Sequence, residues 1–182
     1  MTTAAAATGS GAGTNGAELW AAIAAIPDPE VPVLTIEDLG ILRDLQVDER
    51  ARTVTVLITP TYSGCPAMDA IRQHIEHVAR REGYDPTVQT RLTPAWTTDW
   101  MSAAGRDKLR AFGIAPPGPR STLAEQSVGG GQIGVSLSLR RVTCPQCGSA
   151  ETEEISRFGS TACKALRRCK ECREPFDEFK AI

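Results

Sequence analysis

The chain has 182 residues, 41% of them hydrophobic, with 20 Lys and Arg against 22 Asp and Glu for a formal net charge of -2. That length can build one domain of ordinary size plus something small, and the near balance of charge gives no broad counterion-release drive toward nucleic acid. No run reaches the roughly 18 to 20 apolar residues of a membrane helix, and the start "MTTAAAATGSGAGTNG" lacks both the basic head and the apolar middle of a secretory signal. The expectation is a globular, soluble, cytoplasmic protein whose residues 1–15 form a disordered leader.

In "AELWAAIAAI", Leu19, Trp20, Ile23 and Ile26 recur at helical spacing until Pro27 stops the pattern. "PDPEVPVLTIEDLG" then reads as loop and turn, followed by two strands, "ILRDLQV" and "RTVTVLIT", joined by polar "DERA" as a hairpin. Met68, Ile71, Ile75, Val78 and Ala79 share one face of a second helix that runs from Pro66 to about Gly83. A third strand, "TVQTRL", comes next. An ordered loop carrying Trp96 and Trp100 leads to a last helix near Ser102, whose hydroxyl suits an N-cap. This order predicts an α+β fold over residues 16–114, a small sandwich of helices on a mixed sheet. Residues 115–138, rich in proline, glycine and polar side chains, read as a linker, and 139–182 as a small all-β zinc ribbon.

The ribbon rests on "CPQCG" and "CKEC", two Cys-x-x-Cys pairs. Two residues between thiolates let both sulfurs reach one tetrahedral ion while the intervening amides point at them. Cys144, Cys147, Cys169 and Cys172 are therefore the expected ligands of one structural zinc, with no position left open for catalysis. A segment this short, with few large apolar groups, needs such a metal to fold securely. Basic and acidic residues nearly balance in the ribbon too, and four thiolates on zinc add negative charge, so a protein-docking ribbon is expected and no nucleic acid. Cys163 lies outside the pairs and reads either as a buried small hydrophobe or as a reserve thiol; Lys164, Arg167 and Arg168 would favour its thiolate if it were exposed.

Cys65 has no evident partner. With Pro66 as the first helical residue it would sit at an N-cap, where free amides and the helix dipole lower a thiol's pKa. Thr59, Thr61, Tyr62 and Ser63 offer hydroxyls nearby, no general base stands at a readable spacing, and His74 and His77 read as ordinary surface histidines.

"DPEVPVLTIEDLGIL" (28–42), "GCP" (64–66) and the strands between them resemble the small iron-sulfur assembly domain of the SufT-like family. The resemblance falls on Asp28, Pro29, Glu30, Pro32, Asp38, Gly40, Cys65 and Pro66. It implies that Cys65 handles metal or clusters, with zinc elsewhere as the structural metal and iron or an iron-sulfur cluster as transient cargo. Asp28, Glu30 and Asp38 would then be hard oxygen ligands, or else acids that cap turns. Adding "PAWTTDWMS", "GRDKLRAFGIAPP", "CPQCGS" and "FGSTACKALRRC" in order extends the resemblance to the D-subunit family of bacterial ring 1,2-phenylacetyl-CoA epoxidase systems. That implies aerobic phenylacetate catabolism, with the oxygenase and reductase subunits as partners and a homodimer left open. The chain shows neither the Glu-x-x-His pattern of a di-iron oxygenase nor flavin or ferredoxin motifs, so the expected role is accessory and non-catalytic. The alternatives are a structural interaction subunit with an inert Cys65, or a zinc-ribbon regulator that binds nucleic acid.

Overall fold

The computed structural model describes residues 16–62, 64–118 and 141–181. The expected leader, Ser63 and residues 119–138 of the expected linker lie outside the described residues.

Helix α1, Gly16–Ala24, buries Leu19 and Ile23, four residues apart on one face, and packs on the helix and strand that follow it. The loop after it is as apolar inside as the helix. Val31, Leu34, Ile36, Leu39 and Ile41 are all buried, and the acids between them close turns. Asp28 Oδ1 accepts the amides of Glu30 and Val31 at 2.9 and 2.8 Å, and Asp38 Oδ2 accepts the amide of Thr35 at 3.0 Å. Both acids thus cap turns, whatever else they do.

Strands β1, Leu42–Asp48, and β2, Thr53–Ile58, form the expected antiparallel hairpin, with Val47 opposite Val54. Val54, Val56 and Ile58 alternate into the core from β2. Strand β3, Asp85–Thr90, joins β2 in parallel, Val56 opposite Val88. A parallel neighbour requires a crossover, and helix α2, Ala67–Arg81, supplies it, laying Ala67, Ile71, Ile75 and Ala79 against the sheet. The sheet is mixed, in the order β1-β2-β3.

A short 3-10 turn at Thr98–Trp100 leads into helix α3, Ala103–Ala111. The Ser102 hydroxyl caps that helix by accepting the Gly105 amide at 2.8 Å. Asp38 ties this region to the first loop: its carboxylate accepts from Ser102 Oγ at 3.1 Å and pairs with Lys108 Nζ at 2.6 Å.

The second sheet is antiparallel, β4 (Thr152–Ser156), β5 (Lys164–Cys169) and β6 (Pro175–Phe179). It does not stand apart from the first domain. The Ala115 amide donates to the Asp177 carbonyl at 2.8 Å, and the Phe179 amide returns a bond to the Ala115 carbonyl at 2.9 Å. Phe179 is buried with its ring centroid 6.5 Å from that of Trp96, whose indole N–H reaches the Leu39 carbonyl at 2.8 Å. Cys163 and Phe179 belong to the same buried cluster as Leu19, Ile23 and Ile75.

Candidate metal centres

The ribbon centre is assembled from two turns. Cys144 and Cys147 flank a turn closed by the Gly148 amide on the Cys144 carbonyl at 3.0 Å, and Gly148 has φ 77°, the left-handed region glycine adopts freely. Cys169 ends β5 and Cys172 lies in the turn before β6. Sulfur atoms of Cys144 and Cys172 are 3.8 Å apart and those of Cys147 and Cys169 3.5 Å, and all four lie within 4.8 Å of one another. A tetrahedral ion with Zn–S bonds of roughly 2.3 Å needs sulfurs about 3.8 Å apart, so the set fits zinc. The amides of Glu171 and Cys172 donate to Cys169 Sγ, and that of Glu174 to Cys172 Sγ. Cys144 and Cys169 are buried with Ala115, Val142 and Phe176, while Cys147 and Cys172 face outward. With four sulfurs closed around one point, the metal's work here is structural: it holds together a sheet of three short strands.

Cys65 lies in a second place, after β2 and before α2. Gly64 turns the chain there with φ 90°, and no atom lies within 4 Å of where a Cβ would stand, so its glycine serves backbone conformation and not space. The N-cap position belongs to Pro66, and no side chain caps the helix. Cys65 nevertheless accepts the Ala67 amide at its sulfur, along with hydrogen bonds from the hydroxyls of Tyr62 and Thr61. The expected fall in its pKa does not occur. Burial raises the thiol above its ordinary value, outweighing the Ala67 amide, and the nearby Glu30 carboxylate raises it further. Cys65 is thus a neutral thiol at rest. Tyr62 is pushed up to about 12, by burial first and then by Cys65 and Glu30, and stays a hydrogen-bond donor.

The ribbon reaches this same place. Cys163, just before β5, is buried, with its sulfur 3.0 Å from Thr161 Oγ1 and 3.9 Å from Glu30 Oε2. Burial raises its pKa as well, and the carboxylates of Glu30 and Asp28 add to the rise more than Lys164 offsets it. Cys163 is thus the buried small side chain of the two readings, and the exposure on which its basic neighbours' effect depended is absent: Arg167 is turned to Glu178 at 3.0 Å and Arg168 to Glu153, while Lys164 is paired with Asp177 at 3.1 Å. Asp28 and Glu30 are both raised, chiefly by burial, and Glu30 also by Asp28.

Of the acids singled out in the sequence, Glu30 acts on both Cys65 and Cys163, and Asp28 on Glu30 and Cys163. Asp38 does not, being held by Lys108, Thr35 and Ser102 on the α3 side. His74 and His77 are exposed on α2. The approach of Cys163 to Glu30 across 133 positions has no signature in spacing or periodicity and appears only when the two domains dock.

Fold and sites together define a class: an iron-sulfur-assembly type α+β domain joined to a four-cysteine ribbon. Residues 16–88 match the iron-sulfur cluster assembly protein family, and residues 132–180 the PaaD zinc beta ribbon domain. A relative from Escherichia coli (strain K12), provisionally named as the D component of a 1,2-phenylacetyl-CoA epoxidase, is 46% identical over 166 residues, 91% of this chain and 92% of its own length. The chain belongs to that epoxidase-component family. Among solved structures, a domain of unknown function from Bacillus anthracis is 27% identical with a TM-score of 0.47, covering 51% of this chain and 89% of its own. A conserved hypothetical protein from Thermotoga maritima is 27% identical with a TM-score of 0.45, covering 52% and 93%. No helix among the described residues is long and apolar enough to cross a membrane.

Proposed function

We propose that this chain is a non-catalytic maturation subunit of a phenylacetyl-CoA epoxidase system in aerobic phenylacetate catabolism. It assists assembly of the metal or iron-sulfur centres of the oxygenase or reductase subunits, in the cytoplasm. The observation that carries the reading is the setting of Cys65, a half-buried thiol with donors on its sulfur and the Glu30 carboxylate nearby, inside a domain matching an iron-sulfur assembly family. A thiol kept neutral at rest by burial does not attack electrophiles at once. It yields its proton to solvent when a soft cation arrives, and regains it when the cation leaves. The ribbon metal, closed by four sulfurs, takes no part in such exchange.

Cys65→Ser tests this. The change keeps size and polarity at a half-exposed position, so stability should shift by no more than about 0.5 kcal/mol, while oxygen cannot replace sulfur as a soft ligand. The epoxidase subunits are co-expressed with wild-type or Cys65→Ser protein, and their iron content and turnover compared at equal folding by circular dichroism. Lower iron and lower turnover with the variant are expected. Equal values would instead make Cys65 a packing residue in a purely structural subunit.

A further inference from the structure

Where the approach to the ribbon meets α3, the chain encloses a cleft of about 760 Å³. Its walls are Arg106 and Arg110 on α3, the backbone of residues 115–118, and residues 141–145 leading into the first zinc turn. We propose that this cleft is a docking site for an acidic, extended segment of a partner protein. The site goes beyond the maturation reading and draws nothing from Cys65.

Charge carries the assignment. Arg106, Arg110 and Arg141 line the cleft against a single acid, Asp99, in a chain whose formal net charge is -2. The planar fork of arginine suits carboxylates, which it can grip through two N–H groups at once. The three are differently held. Arg106 donates to two backbone carbonyls, those of Pro117 at 2.8 Å and Thr98 at 2.6 Å, which fixes its guanidinium without neutralising it. Arg110 meets Asp107 at 2.7 Å, but both side chains are more than half exposed, so water screens the pair and an incoming carboxylate can exchange with it. Arg141 is exposed and has no hydrogen bond or ion pair among the described residues.

The lining narrows the class of anion. Pro116, Pro117 and Pro145 carry no amide hydrogen, and the amides of Ala115, Cys144 and Gly148 are spent on the carbonyls of Asp177, Ser149 and Cys144. A cradle of free amides for one phosphate is therefore not built here. No lining side chain is aromatic, so a nucleotide base finds nothing to stack on. Carboxylates spaced along an extended chain can instead meet one arginine each, with the side chains between them against proline. Residues 119–140 join the two lips of the cleft and hold Arg120 and Arg140 against Glu125, so their charge adds to that of the cleft and does not match it.

The full-length protein with its ribbon zinc in place is titrated by calorimetry with a capped peptide alternating Glu with Ala. Its Gln–Ala counterpart, tripolyphosphate and a thymidine oligonucleotide are titrated in parallel. The Glu peptide should bind at about one per chain and weaken severalfold between roughly 50 and 200 mM salt. The Gln peptide should bind at least about tenfold more weakly. Arg110→Ala and Arg141→Ala should each weaken the Glu peptide about fivefold or more, with zinc content and thermal midpoint unchanged. Arg81→Ala, an exposed position on α2 outside the cleft, should bind as wild type does. The peptide pair decides the matter on wild type alone if a variant loses zinc. No binding of the Glu peptide, equal binding of the two peptides, or wild-type affinity in both cleft variants overturns the proposal. Tighter binding of tripolyphosphate or the oligonucleotide also overturns it and makes the cleft a phosphate or nucleic-acid site. Zinc lost from the variants at unchanged peptide affinity would show arginines that only balance the ribbon thiolates, and sinks it too. The maturation reading stands or falls separately, on the epoxidase iron found with Cys65→Ser.

Discussion

Asp28 and Asp38 show how one residue type takes two roles ten positions apart. Asp28 is buried, and burial raises its pKa above the usual 3.8 against the Val31 and Glu30 amides and the Lys164 charge, which pull it down. Asp38 is also opposed by burial, yet Lys108, the Thr35 amide and the Ser102 hydroxyl hold it below that value. A carboxylate with a lowered folded pKa stabilises the fold above its unfolded pKa, and loses that contribution as pH falls through the folded value. Asp38→Asn should therefore cost about 2 kcal/mol near neutral pH, and the gap to wild type should close as the solution is acidified below pH 3.8. Urea melts of both proteins over a pH series measure it. Epoxidase subunits co-expressed with the variant should keep their iron, because Asp38 stands apart from Cys65; lower iron at equal stability would restore it as a ligand.

At the scale of elements, Gly40 is the tightest joint. Its φ is 68°, and a Cβ there would stand 2.6 Å from the Trp100 carbonyl oxygen, where the 3-10 turn crosses the end of the first loop. Gly40→Ala should lose roughly 2 to 3 kcal/mol, read as a lowered thermal midpoint with the ribbon zinc unchanged. The sequence made the helices, the hairpin, the crossover strand and the Ser102 cap legible, because each is written in local periodicity or in one residue's hydrogen-bonding habit. The clustering of the four ribbon cysteines was legible for the same reason. What stayed hidden is long-range. Whether Cys65 is lowered by a helix end or raised by burial depends on how deeply the chain packs around it, and the meeting of Cys163 with Glu30 depends on Phe179 seating beside Trp96. Neither fact lies within one element.

For the whole molecule, zinc and docking are linked. The ribbon that carries Cys163 has few large buried side chains of its own, Val142 and Phe176 with the cysteines, so the metal must hold β5 and β6 in register. Stripping zinc with a chelator should therefore do more than empty the four-sulfur centre. Amide exchange should accelerate through β4 to β6 and at Ala115, while β1 to β3 keep their protection. Preserved protection in β6 without zinc would show that docking alone holds the ribbon.

Ala115 has a further consequence. The second sheet runs β4-β5-β6, so β6 is an edge strand, and open edges invite pairing with other chains. The backbone leaving α3 places Ala115 in parallel beside Glu178, filling two hydrogen-bonding groups of that edge from within the same chain. A ribbon cut away at residue 141 would keep its zinc ligands but bare this strand together with the Phe179 ring. The first domain thus acts on its ribbon as an intramolecular chaperone would, keeping an adhesive border out of circulation.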